Sequence, residues 1–273
     1  MQLRDLPFLL ILPAAGVLIW TQNLYAVSSL DDTLPILLSL PLFVFMASPW
    51  KFRDTPPALS YSTLITATAC YLIGFVADMV WLLALSWTLA LWTWVSSRVD
   101  EARLPHMKKL MILPFLAFPW LTIECTAIGW YFRLSGAWAT AKGFSALGFN
   151  VVHEGTRIIV MGLPVGIGEA CSGINVLQSM LIAGSALTFL YLGRTKAYWP
   201  NIILLFALSW LANTMRIFIL CLVALTMGRE FALGIFHTFG GWLVLFLMMF
   251  LCLGVLSLQR SYLKKRAFSG EPA

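Results

Sequence analysis

Cys171, Arg216 and His237 are the residues of this chain whose types and placement could together cleave an amide. A thiolate attacks the carbonyl to give a thioester, and an imidazole takes up and returns the proton. A guanidinium stays charged and neutralises the developing oxyanion. Cys171 stands in Glu169-Ala-Cys171-Ser172-Gly173, just ahead of an apolar run. At a helix N-terminus the macrodipole and open backbone N–H groups lower a thiol pKa and can receive an oxyanion. Glu169, Ser172 and Gly173 flank the thiol, Asn213 lies one turn before Arg216 on the same helix face, and Glu124 is an acid within an apolar run. These five are supporting or substrate-binding candidates.

Each residue has a plainer reading. An arginine in an apolar helix often snorkels to headgroups, and a membrane cysteine usually packs. Cys70, Cys125, Cys221 and Cys252 read that way, while His106 and His153 read as solvated loop residues. Depth separates the three reactive residues from the rest. Counted from Trp199, Arg216 stands about 25 Å up a helix that crosses an apolar core about 30 Å thick. Cys171 and His237 precede the helices on either side of it, at the same outer level.

The elements that must hold these groups are membrane helices. Of 273 residues, 60% are hydrophobic and 11% charged, which excludes an ordinary soluble domain. Mean hydropathy is +0.86. Long apolar runs predict an all-α polytopic membrane protein of about eight helices, near 6–27, 33–49, 58–77, 79–97, 110–130, 173–193, 199–227 and 238–258. Residues 1–273 read as a single integral membrane domain, and 1–27 as a retained span rather than a cleaved signal peptide. Arg4, Lys51, Arg53, Arg98, Arg103, Lys108, Lys109, Arg194, Lys196 and the Arg260–Arg266 cluster fall on one side, against Arg133, Lys142, Arg157 and Arg229 on the other. The positive-inside rule then puts both termini in the cytoplasm. It also accounts for the net charge of +6 without nucleic acid.

Residues 131–172 form the one sizeable loop, expected on the extracytoplasmic side. Gly148–Val152 and Arg157–Met161 are β-prone runs around His153-Glu154-Gly155-Thr156, which predicts a hairpin leading into the sixth helix. Metal chemistry is not expected. His153-Glu154 continues Gly-Thr-Arg, which lacks the second zinc histidine, and the five cysteines form no C-x-x-C pair. Gly166-Ile-Gly168-Glu169 is only superficially like an aspartyl-protease motif. No cofactor is called for.

At Glu169-Ala-Cys171-Ser-Gly-Ile174, Asn213-Thr-Met-Arg216 and His237 ahead of the last helix, the sequence resembles the exosortase/archaeosortase family of polytopic membrane cysteine transpeptidases. The resemblance implies Cys171 as nucleophile, Arg216 as charge stabiliser and His237 as acid/base. Its implied partners are exported proteins ending in a short motif such as Pro-Glu-Pro, a transmembrane helix and a basic tail, with a surface or lipid-linked acceptor. The implied location is the inner membrane, with the site on its outer side. The competing reading is a transporter with Arg216, Glu124, Asp78 and Asn213 along its path. No repeated half with matching interrupted helices supports it. A scaffold, with Cys171 merely packed, is the third.

Overall fold

Two prolines decide how the middle of the chain is built. The computed structural model of the protein describes residues 6–22 and 30–268, and the chain forms two compact units, Met1–Cys125 and Thr126–Ala273. In the first unit the chain runs through α1 (Leu6–Gln22), α2 (Leu30–Ala47), α3 (Tyr61–Val76) and α4 (Val80–Arg98). A 3-10 turn at Glu101–Arg103 leads to α5 (Leu104–Leu110), α6 (Ile112–Leu116) and α7 (Trp120–Glu124). The expected first span, 6–27, continues past Gln22 into residues outside the described ones.

The span expected at 110–130 is not one helix. Proline lacks an N–H and collides with the carbonyl four residues back, and Pro114 and Pro119 break the run into α6 and α7. Side chains satisfy the carbonyls that the break exposes. Trp120 Nε1 donates to Phe115 O at 3.0 Å, the acceptor that Pro119 cannot serve. Ser39 Oγ donates to Leu113 O at 2.6 Å, and Trp20 Nε1 to Ala117 O at 3.0 Å. Around these bonds Ile19, Val80, Leu83, Ala84, Trp87, Ala117 and Phe118 form the core of the unit.

In the second unit, α8 (Thr126–Ala146) occupies what was expected to be the start of the loop. Its helical signal is not apolar. Glycines seven residues apart, Gly129, Gly136 and Gly143, form a seam: a Cβ at Gly136 would meet Ile217 Cδ1 at 2.9 Å, and one at Gly143 would meet Phe218 at 3.1 Å. Trp210 Nε1 donates to Ser135 Oγ at 2.8 Å, and Phe144 stacks on Phe218 with centroids 4.4 Å apart.

The predicted hairpin is present and larger than expected. Strands β1 (Val151–Glu154), β2 (Arg157–Val160) and β3 (Leu163–Gly166) form an antiparallel meander in the order β1-β2-β3. Glu154 pairs with Arg157 and Val160 with Leu163, which leaves two-residue turns at Gly155-Thr156 and Met161-Gly162. Gly155, Met161 and Gly162 all have positive φ, as the primed hairpin turns require. His153 therefore lies in β1 rather than in the turn. β3 escaped the sequence reading because Leu-Pro-Val-Gly looks like loop, yet an edge strand tolerates proline.

A 3-10 turn at Glu169–Cys171 then enters α9 (Ile174–Leu192), followed by α10 (Tyr198–Met227), α11 (Arg229–Leu233) and α12 (Ile235–Phe268). Asn201 Nδ2 donates to Gln259 Oε1 at 2.8 Å and ties the start of α10 to the later part of α12. Among the described residues, Val80–Arg98, Ile174–Leu192, Tyr198–Met227 and Phe239–Arg266 are long and apolar enough to cross a bilayer. Leu10–Gln22, Ile36–Ala47 and Tyr61–Val76 are shorter apolar stretches. The protein is a mostly helical membrane protein with a small sheet. The expected count of eight crossings is not established, because four segments meet the length of a span and the fifth expected helix is broken.

Candidate active site

Cys171 closes the 3-10 turn that joins the sheet to α9. Its own N–H donates to Gly168 O at 3.0 Å, and that of Ser172 to Glu169 O at 2.9 Å. The backbone donors open to an anion therefore begin after Ser172, in the first turn of α9, where helix geometry leaves N–H groups without intrahelical acceptors. Gly173 caps that helix at φ 76°. A Cβ there would lie 2.7 Å from Asn213 Cγ, so glycine is required both by the backbone and by the close approach of α10.

Asn213 is fully buried on α10. Its Nδ2 donates to the Cys171 carbonyl at 3.2 Å, while its Oδ1 is buried without a hydrogen-bond partner. One turn further along the same helix is Arg216. Its guanidinium lies against Gly241 of α12, where a Cβ would come within 3.4 Å of Cζ and Nε. The Arg216 charge acts on the Cys171 sulfur.

His237 occupies the first turn of α12, four residues before Gly241. That is about 6 Å of helix rise from the glycine against which Arg216 rests. The imidazole itself lies outside the described residues. Glu169 is exposed in the 3-10 turn, and Ser172 is half-buried near Gly129 of α8, where a Cβ would meet its own at 3.1 Å.

Electrostatics at the thiol differ from the expectation. Burial pushes the Cys171 thiol above its ordinary value, while first Arg216 and then Arg133 pull it down. Burial prevails. The sequence reading missed the burial because the apolar cover comes from distant segments: Ile158, Val160 and Ile167 of the sheet region, Ala137 and Ala141 of α8, and Ile217 and Cys221 of α10. It also read Arg133 only as an outer-side charge. The glycines that bracket Arg133 on α8 were the available signal.

Glu124 belongs to the first unit and has a structural task. Its carboxylate accepts from Val80 N and from Trp81 N, the latter at 3.0 Å, and so caps α4. Asp78 is exposed in the α3–α4 turn with φ 54°. Both acids named for a transport path thus occupy positions that the fold explains.

The half-buried Cys171 thiol thus stands at the entry to a membrane helix, within reach of the Arg216 charge. The family model for transmembrane exosortases, Exosortase_EpsH, matches residues 7–254, and the chain belongs to that family. Exosortases are generally membrane cysteine peptidases or transpeptidases. No curated protein matches the chain. No solved structure matches it either.

Proposed function

We propose that this protein is a cysteine transpeptidase that cleaves C-terminal sorting signals of exported proteins at the outer face of the inner membrane. The observation that carries the reading is the convergence on Cys171 of an Asn213 hydrogen bond to its carbonyl and the Arg216 charge on its sulfur, in a chain of the exosortase family.

Chemically, partial burial holds the proton on the Cys171 sulfur, so attack needs a base. His237 takes the S–H proton while sulfur bonds to the substrate carbonyl carbon, and the carbonyl electron pair moves onto oxygen. Arg216 neutralises that oxyanion, helped by the first amides of α9. Collapse breaks the C–N bond, the departing amine takes the proton from the imidazolium, and a thioester remains on Cys171. An acceptor amine on a surface or lipid-linked anchor, or water, then attacks the thioester and restores the thiol.

Substrates carry a short motif, a transmembrane helix and a basic cytoplasmic tail. Such a helix inserts with its tail inside, which puts the motif outside beside Cys171 when both enzyme termini are cytoplasmic. Co-expression with such a substrate tests the reading: Cys171→Ala should accumulate in the membrane and leave the substrate uncleaved. Normal cleavage by that variant would end the assignment. His237→Ala should likewise stall processing, and unchanged turnover would leave the proton transfer without an agent.

A further inference from the structure

Arg133 lies on the face of α8 that spans the two halves of the site. Gly129, one turn before it, would carry a Cβ 3.1 Å from Ser172 Cβ and from Ile174 Cγ1. Gly136, three residues after it, would carry one 2.9 Å from Ile217 Cδ1 and 3.6 Å from Thr214 Oγ1. Residues 129, 133 and 136 share a helix face. That face therefore runs from the neighbour of Cys171 to the neighbour of Arg216, with Arg133 between the two contacts. The Arg133 Nε is buried without a hydrogen-bond partner, and its Cζ lies 5.3 Å from the Trp130 ring centroid. An indole face holds a weakly hydrated guanidinium in place without neutralising it.

We propose that Arg133 is a second positioning cation for Cys171, which with Arg216 stabilises the anion formed at the sulfur and so sets how readily the thiol gives up its proton. The inference rests on Cys171 being the reactive thiol. Its physical basis is the burial of that thiol: an apolar surrounding penalises the thiolate, and opposite charge close by offsets the penalty.

The groups carried by the elements packed on Cys171 are few. They are Glu169 in its own turn, His153, Glu154 and Arg157 in the sheet, Tyr131, Arg133 and Lys142 on α8, Tyr198, Arg216 and Cys221 on α10, and Arg229 and Glu230 on α11, together with His237 of α12 as the base proposed above. Of these, Arg216 and Arg133 are the ones whose charge favours the Cys171 thiolate. The fold uses the small residues of α8 to bring the second of them in.

The test is the pH dependence of Cys171 alkylation by iodoacetamide in the full-length protein in membranes, read at the Cys171 peptide by mass spectrometry. Arg133→Gln should move the midpoint to higher pH and slow alkylation several-fold at neutral pH, with the same plateau at high pH. Arg133→Lys should restore most of the wild-type profile. Arg133→Met, of similar length and without charge, should behave as Gln does and serves if the Gln variant fails to accumulate. A wild-type midpoint in both neutral variants, or a lower plateau with no shift, would overturn the inference. Alkylation needs no substrate. A failure of the proposed sorting activity would thus appear as substrate cleavage by Cys171→Ala, independently of this profile.

Discussion

Asn213 holds Cys171 by its backbone: the side-chain amide of a fully buried α10 residue donates at 3.2 Å to the Cys171 carbonyl. The bond ties the 3-10 turn to the helix that carries Arg216. Loss of a buried hydrogen bond costs about 1–3 kcal/mol. Asn213→Ala should lower kcat for substrate cleavage by roughly ten- to a hundredfold, at that cost. Asn213→Asp should be worse, since an ionised carboxylate cannot donate and repels a thiolate. Wild-type kcat in both would show the bond to be incidental.

Gly241 should be a sensitive position although it carries no chemistry. The Arg216 guanidinium rests on it, and a Cβ would already touch Cζ at 3.4 Å. Gly241→Ala should be mild. Gly241→Leu should push the guanidinium away and reduce cleavage while the protein still accumulates. Equal activity in the two variants would mean that Arg216 has another position from which to work.

Arg216 should govern both rate and pH dependence. Removing one oxyanion-stabilising donor costs about 10²–10³ in kcat, and Arg216→Ala should fall in that range. Arg216→Lys keeps the charge and loses the planar fork, so its loss should be smaller but large. The sign at the thiol follows from charge. A cation favours the thiolate, so removing it raises the Cys171 pKa further and shifts the alkylation profile to higher pH. A shift toward lower pH in Arg216→Ala would contradict this.

Glu124 should matter to stability rather than to catalysis. Its carboxylate caps the first turn of α4, and lost helix caps cost about 0.5–2 kcal/mol. Glu124→Ala should lower the melting temperature of the detergent-solubilised protein by a few degrees and leave kcat unchanged. A collapse of activity at unchanged stability would instead place Glu124 in a substrate path.

What was legible in the sequence was whatever a local rule records. Ile174–Leu192 and Tyr198–Met227 announce themselves by composition, because the lipid they face selects it. Gly155 marks its hairpin because a primed turn demands positive φ. The order Cys171, Asn213, Arg216, His237 is local in the same sense. Other features depend on distant partners. α8 is held by small residues against Ile217 and Phe218, so its signal is a glycine spacing rather than an apolar run. The raised Cys171 proton affinity comes from burial under the sheet, which no neighbouring residue encodes. The broken 110–130 segment was visible in Pro114 and Pro119, but what makes the break tolerable is Ser39 and Trp20, far away in the chain.

The most direct test of the whole account is to trap the acyl-enzyme. Membranes containing the protein and a substrate with a C-terminal motif, helix and basic tail are quenched in acid, and the enzyme is digested and weighed peptide by peptide. The account predicts a hydroxylamine-sensitive thioester joining Cys171 to the substrate residue that precedes the cleaved bond, abolished in Cys171→Ala. A substrate adduct on any other residue, or cleavage that persists in Cys171→Ala, would contradict it.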